Sequence, residues 1–320
     1  MILLEVRALS KHYGAGGGLF RAGQERIRAV DGVSFFIEKG ETLGLVGESG
    51  CGKSTLGRLI LRLEEPTEGQ IFYRGREITS WTGSRLRGLR SKIQIIFQDS
   101  QSSLDPRRTV GSIIGEPLAN FKAGSKKEQA RKARELLETV GLNPEHISRY
   151  PHEFSGGQRQ RINIARALAL QPELIVCDEP VSSLDVSIRA QILNLLEKLK
   201  KQFSLSYLFI SHDLATVSYL ADRVAVMYLG KLVEVLKAED LAAKARHPYT
   251  RALLSAVPVP DPRQKGTRRV VVQGEPPNPT NPPPGCRFHP RCPQVREECR
   301  RIEPELKGVG EGHLVACHLS

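Results

Sequence analysis

The chain has 320 residues, 40% of them apolar, and carries 47 Lys+Arg against 35 Asp+Glu for a formal net charge of +12. That length suits two domains, or one large domain with an appendage, and supplies a sizeable core. It contains no apolar run of about 18 or more residues and no N-terminal charged region leading into a long apolar one, so neither a bilayer span nor a signal peptide is predicted and a cytoplasmic chain is expected. The positive charge leaves nucleic acid, nucleotide and an anionic membrane face open as partners. The small clusters at Arg85–Arg90, Lys126–Arg134 and Arg296–Arg301 read as solvated faces.

Residues 4–9 and 33–37 are short and apolar and predict strands, with a Gly-rich stretch at 14–18 and a polar, basic stretch at 21–28 reading as an exposed loop between them. Tyr13, just before that loop, could stack on a base through its ring face, although a single aromatic at a strand end is more often packing.

The apolar run Thr42–Val46 then leads into Gly47-Glu48-Ser49-Gly50-Cys51-Gly52-Lys53-Ser54 and a helical segment from Thr55 to Leu63. Strand, G-x-x-x-x-G-K-S and helix form the setting of a phosphate-binding loop. The glycines let the backbone turn its N–H groups into one concavity, and the helix adds the positive end of its dipole. Gly47, Ser49, Gly50, Cys51, Gly52, Lys53, Ser54 and Thr55 are the candidate nucleotide contacts. Lys53 is expected at the β- and γ-phosphates, Ser54 on Mg²⁺ and Thr55 at the α-phosphate.

Gly69–Tyr73 and the continuous apolar run Ile93–Phe97 predict strands, the second covered on both faces and ended by Gln98. Ser125-Lys126-Lys127-Glu128 is a capping box opening a helix with Ala130, Ala133, Leu136, Leu137 and Val140 on one face and Gly141 in position to close it. Residues 99–165 therefore look mostly helical. Ser155-Gly156-Gly157-Gln158 starts a helix running to about Leu170, which is either a second anion-binding N-terminus or a plain cap. Leu174–Cys177 is a buried-strand run delivering Asp178 and Glu179 to its C-terminal end, where Asp178 would hold Mg²⁺ and Glu179 would polarise a water; an acidic surface turn is the blander alternative. Residues 186–202 form an amphipathic helix with Ile188, Ile192, Leu195, Leu196 and Leu199 inward, and strand Ser206–Ile210 delivers His212, able to bond a phosphate oxygen if its neighbours do too.

Taken in order, Gly47–Ser54, Gln98, Ser155–Gln158, Leu174–Glu179, Ser183-Leu184-Asp185 and His212 resemble the Walker A loop, Q-loop, signature, Walker B strand, D-loop and switch histidine of ATP-binding-cassette ATPases. Phe154 stands where Leu is usual at the signature. The resemblance narrows to oligopeptide/dipeptide/nickel importers at Phe97-Gln98-Asp99, Ser102–Arg107, Ser211–Leu214, His247–Thr250 and Gly285–Pro293. The insertion after Tyr13 and the stretch Arg28–Ser34 look like the second ATPase subunit of such systems. The resemblance covers essentially the whole chain. It implies an α/β P-loop NTPase cassette over residues 1–255, with a RecA-like mixed sheet, an inserted helical subdomain at about 99–165, and a Pro-rich linker and Cys-containing tail over 256–320.

It also implies two such domains sandwiching two ATPs, each ATP between the Walker A loop of one and the signature of the other. Tyr13 would stack on adenine and Gln98 would sense Mg²⁺ and the attacking water. Ser155, Gly156, Gly157 and Gln158 would meet the partner's γ-phosphate, and Asp185 would lie at the dimer interface. Glu179 would be the general base and His212 would hold the γ-phosphate, with Ser54, Gln98 and Asp178 around Mg²⁺. The implied partners are a paralogous ATPase, two membrane permeases reached through Gln98–Pro117 and, indirectly, an extracytoplasmic substrate-binding protein, with the chain peripheral on the cytoplasmic membrane face. Nickel or glutathione importers share these motifs. A soluble cassette ATPase acting on DNA or ribosomes is the alternative in another class, disfavoured by the single cassette and the tail, so no nucleic acid is expected.

The stretch Glu275–Pro284 reads as a stiff extended linker. Cys286, Cys292, Cys299 and Cys317 follow, spaced C-x5-C-x6-C-x17-C. Four thiolates can hold an iron–sulfur cluster or zinc, but structural zinc favours tighter pairs. The family resemblance implies a [4Fe–4S] cluster.

Overall fold

The computed structural model describes residues 1–14, 26–99, 103–257 and 274–320. Most of the Gly-rich stretch after Tyr13, and Ser102, lie outside the described residues. In chain order the elements are β1 (Ile2–Gly14), β2 (Arg26–Glu38), β3 (Thr42–Val46), α1 (Lys53–Ile60), β4 (Glu68–Tyr73), β5 (Arg76–Glu77), α2 (Gly83–Arg90), β6 (Ile93–Ile96), α3 (Val110–Asn120), α4 (Lys126–Thr139), α5 (Gly156–Leu168), β7 (Leu174–Asp178), α6 (Val186–Phe203), β8 (Ser206–Ser211), α7 (Leu214–Leu220), β9 (Arg223–Tyr228), β10 (Lys231–Lys237), α8 (Leu241–Lys244), α9 (Pro248–Ala256), α10 (Glu297–Arg301), β11 (Lys307–Gly310) and β12 (His313–Val315). They divide into two compact units.

One unit gathers Ile2–Ile37, Thr42–Thr79 and Ser211–Ser320. It holds a sheet in the order β2-β1-β4-β5 and a mixed run β11-β12-β10-β9-β3. The first two strands outrun their apolar stretches, and Arg26, Ile27 and Arg28, expected in a loop, belong to β2. In β2 the alternation is clean from Val33: Val33, Phe35 and Ile37 are buried while Ser34, Phe36 and Glu38 are exposed, as a half-covered antiparallel strand requires. β1 bulges between Arg7 and Ser10 opposite β4. There Ala8 takes φ 44, and a side chain on Gly69 (φ 87) would fall 2.3 Å from the Ala8 carbonyl oxygen, so only glycine fits. β3 is buried at every residue and pairs parallel with β9, the pattern of a strand covered on both faces. β9 and β10 form a hairpin across Leu229 (φ 42) and Gly230 (φ 82), the doubly left-handed turn that matches strand twist. The C-terminal tail adds β12 to the edge of β10, and the stretch from Glu275 to Pro284 carries neither helix nor strand.

The other unit gathers Met1, Glu38–Glu41 and Ser80–Ile210. Its strands β6, β7 and β8 run parallel, with Ile95 beside Val176 and Val176 beside Leu208. β7 and β8 are buried throughout. Between β6 and β7 lie α3, α4 and α5, with short 3-10 turns at Pro144–Ser148 and Pro151–Glu153, so the stretch is mostly helical as expected. The α4 capping box forms as predicted, and Gly141 follows its end with φ 76. Ala130 departs from its predicted inward face and is exposed, while Ala133, Leu136, Leu137 and Val140 are buried. In α6, Ile192, Leu195, Leu196 and Leu199 are buried, and Ile188 is half-buried against the start of α5.

Candidate functional site

The phosphate-loop segment leaves β3 and turns into α1, whose N-cap is Gly52 at φ 108. A side chain at Gly52 would sit 1.9 Å from the Ala29 carbonyl oxygen, and one at Gly47 would sit 2.1 Å from that of Met227. Gly50 also takes a left-handed φ of 77, with open space around it. Sterics thus demand glycine at Gly47 and Gly52, and backbone conformation favours it at Gly50. No side chain caps α1. Lys53 is 5% exposed, and its Nζ donates to the Gly47 and Glu48 carbonyls at 2.8 and 2.9 Å. The ammonium is therefore held in the loop's concavity, where an anion would meet it. Buried Cys51 lies against that ammonium, 3.7 Å away, and burial pushes its thiol's pKa up, so it is inert packing and not a nucleophile.

Tyr13 is in the same unit. Its hydroxyl bonds the Glu64 carboxylate, Lys11 stands over its ring at 5.1 Å, and Thr55 lies within hydrogen-bonding reach of the phenol. Burial, then the Glu64 bond, raise the phenol's pKa. The ring is anchored beside α1. His212 also belongs to this unit and is exposed between β8 and α7, with Asp213 capping α7 through a 3.0 Å bond from the Ala215 N–H.

The other unit carries the remaining motifs. Asp178 ends β7 and is 8% exposed. Glu179 takes φ 46, its N–H donates to the Ile210 carbonyl at 3.0 Å, and its Oε2 accepts from Gln98 Nε2 at 3.1 Å. A non-glycine residue in left-handed backbone at a strand end is a mark of functional sites. Gln98 and Glu179, 81 positions apart, are thus brought together. Ser155 caps α5: its hydroxyl accepts from the Gln158 N–H, and the Gln158 side chain accepts from the Ser155 N–H. Both residues therefore have a structural task beside any phosphate contact. Gly157 is fixed by sterics, since a side chain there would lie 2.5 Å from Ile188 Cγ2, whereas Gly156 has ordinary space beside Leu184. Phe154, at the usual leucine position, is 4% exposed and packs edge-on against His146. Asp185 is exposed at the start of α6 and makes no side-chain cap.

The tail cysteines are all free thiols. Burial pushes Cys286 up to about 11, with the other three cysteines acting in the same direction, and burial also raises Cys292 and Cys317. The Cys286 N–H donates to the Cys299 carbonyl at 2.8 Å. Among the described residues no group of three or more His, Cys, Asp or Glu side chains is set to hold a metal ion.

Residues that the sequence reading quoted without giving them a role also reach the loop. Glu48 pairs with Arg291, and the Glu48 N–H donates to the Tyr249 hydroxyl at 2.9 Å. Arg287 bonds Asp31 and the Leu229 carbonyl. Burial works against ionisation of Asp31, but Arg287 and Lys231 outweigh it and hold the carboxyl below its usual range. The sequence signalled them only as the stretches Arg28–Ser34, His247–Thr250 and Gly285–Pro293, not as pairs, since Asp31 and Glu48 lie 256 and 243 positions from Arg287 and Arg291.

Residues 30–182 match the family described as ABC transporter, and residues 233–299 match the oligopeptide/dipeptide transporter C-terminal region. An oligopeptide transport ATP-binding protein of Bacillus subtilis, AppF, is 53% identical over 99% of this chain and 97% of its own length. A probable peptide ABC transporter ATP-binding protein of Sinorhizobium fredii, y4tS, is 51% identical over 99% of this chain and 90% of its own. Among solved structures, the dimeric post-hydrolysis state of the ATP-binding cassette MJ0796 bound to ADP and Pi is 29% identical with a TM-score of 0.65, covering 74% of this chain and 99% of that one. With both motif sets in place on a cassette fold, the chain belongs to the ATP-binding-cassette family, as an ATPase of its oligopeptide/dipeptide transporter branch.

Proposed function

We propose that this chain hydrolyses ATP to drive import of di- and oligopeptides through a membrane permease. The observation that carries the reading is the Gln98–Glu179 pair at the end of β7, one motif that would sense the nucleotide holding another that would activate water. In this reading Glu179 is the general base, His212 holds the γ-phosphate, and Ser54, Gln98 and Asp178 surround Mg²⁺. Gly47, Ser49, Gly50, Cys51, Gly52, Lys53, Ser54 and Thr55 take the phosphates, and Tyr13 stacks on adenine. Mg²⁺ would supply charge neutralisation across the β- and γ-phosphates. Ser155, Gly156, Gly157, Gln158 and Asp185 face the ATP of a second cassette, a paralogue. The Gln98–Pro117 segment docks on the membrane permeases, fed by an extracytoplasmic binding protein, so that the chain works at the cytoplasmic membrane face. None of the described helices is long and apolar enough to cross a membrane, which agrees with a peripheral place. The test is Mg-ATP affinity and ATPase rate of Glu179→Gln beside the parent: retained binding with lost turnover supports the assignment, and a rate within about threefold of the parent overturns it.

Residues 256–320 form a linker and tail in which Cys286, Cys292, Cys299 and Cys317 are the candidate ligands of a [4Fe–4S] cluster, which would cross-link the tail. The support is the donor set itself: four free thiols in one tail, which as thiolates could ligate iron. Anaerobic purification should give a brown protein with about four irons and four sulfides per chain. A colourless protein without iron removes the cluster.

A further inference from the structure

The phosphate loop has an attachment that nucleotide chemistry does not require. Arg291 meets Glu48 in a paired geometry, Nη1 to Oε2 at 2.8 Å and Nη2 to Oε1 at 3.0 Å. The Arg291 side chain is 8% exposed and that of Glu48 30%, so the pair is shielded from water more than a surface ion pair is. Arg291 is itself held: Nη1 also reaches the Tyr228 hydroxyl at 3.3 Å, and its guanidinium stands 5.8 Å from the centre of the Tyr228 ring. Phe288 of the same tail turn packs edge-on against Tyr228 at 5.3 Å and tilted against Tyr249 at 5.4 Å. Tyr249 in turn accepts the Glu48 N–H. Both the backbone and the side chain of Glu48 are thus fixed from outside the loop, by residues of its own compact unit. The loop needs this, because left-handed glycines at Gly50 and Gly52 make its backbone permissive.

We propose that Arg291 is a positioning residue for the phosphate loop, acting through Glu48, so that the C-terminal tail sets how well the loop is preorganised for ATP. The proposal rests on the ATPase reading above. A fork is required, since a lysine ammonium cannot reproduce two parallel bonds to one carboxylate. Losing the anchor removes no phosphate contact; the cost falls on ordering the loop at the moment of binding.

The experiment uses the full chain and direct titration with Mg-ATP. Arg291→Gln should weaken affinity about tenfold, inside the usual range of coupling between separate elements, and Arg291→Lys should fall between it and the parent. Glu48→Gln combined with Arg291→Gln should be no weaker than Arg291→Gln alone, the non-additivity of a single shared contact. In the assembled transporter KM for ATP should rise while kcat stays within about threefold, because neither residue touches the attacking water. Affinity within twofold of the parent for Arg291→Gln, or additive effects in the double variant, would overturn the proposal. If Arg291→Gln fails to fold, Arg291→Lys decides, and parental affinity there overturns it too. No Mg-ATP binding by the parent chain would instead overturn the functional reading beneath it.

Discussion

Glu179, the proposed general base, has a backbone conformation that is unfavourable for anything but glycine. Its φ of 46 costs on the order of 1–3 kcal/mol, and the parallel strand beside it offsets that cost by fixing its N–H on Ile210. The side chain is oriented by Gln98, so its carboxylate is aimed and not merely present. Glu179→Gln keeps size and the capacity to pair with Gln98 but removes the proposed base. Turnover should fall by about 10²–10⁴-fold, with Mg-ATP affinity within about twofold, measured by steady-state phosphate release and equilibrium titration. This carboxylate was legible in the sequence because four apolar residues ending in Asp178-Glu179 leave few other structures. The strain was not, because φ depends on how β8 is placed.

At the scale of elements, the start of α5 carries a capping box on residues that are also proposed to meet nucleotide. The Ser155–Gln158 box would suit any helix, and its presence alone leaves cap and anion site undecided. The two glycines separate them. Gly157 has Ile188 Cγ2 where its side chain would go, while Gly156 has ordinary van der Waals room. Gly157→Ala should therefore destabilise the fold by roughly 1–3 kcal/mol through overpacking against α6. Gly156→Ala, with ordinary room at the first helical position, should unfold within about 0.5 kcal/mol of the parent. A larger loss of stability in Gly156→Ala, or none in Gly157→Ala, contradicts this packing account. The helix and strand inventory around α5 was readable from period and caps, α4 most of all. The Gly157–Ile188 contact was not, since it joins two helices through a single missing methyl. Nor were the β9–β10 hairpin and the tail's β12, whose pairing is tertiary: the turn at Leu229-Gly230 places a leucine where turn chemistry favours Asn or Gly.

At the scale of the whole molecule, the tail is built into the fold through buried polar groups as well as apolar ones. Glu234 is fully buried, and its carboxylate accepts from the Arg246 and His247 N–H groups and pairs with His313 on β12 at 2.8 Å. His247 lies beside this carboxylate, under the Phe288 ring at 5.7 Å, and its Nδ1 accepts the Tyr249 N–H at 3.1 Å. That bond requires the neutral ring at Nδ1, and burial pushes the His247 pKa down from 6.5 to about 3. The unfolded chain, with the higher pKa, binds more protons between these values, so stability rises with pH across that window and is lost as pH falls below about 6.5. The loss should approach about 1.4 kcal/mol for each pH unit below the unfolded value. His247→Gln removes the titrating ring while keeping an acceptor for the Tyr249 N–H. Its stability at neutral pH should be lower, but its decline between pH 6.5 and 5 should be shallower than the parent's by up to about 2 kcal/mol, read from denaturant midpoints in matched buffers. Parallel declines in the two proteins would show that the acid sensitivity comes from other groups and that His247 is not held neutral by its burial beneath the tail.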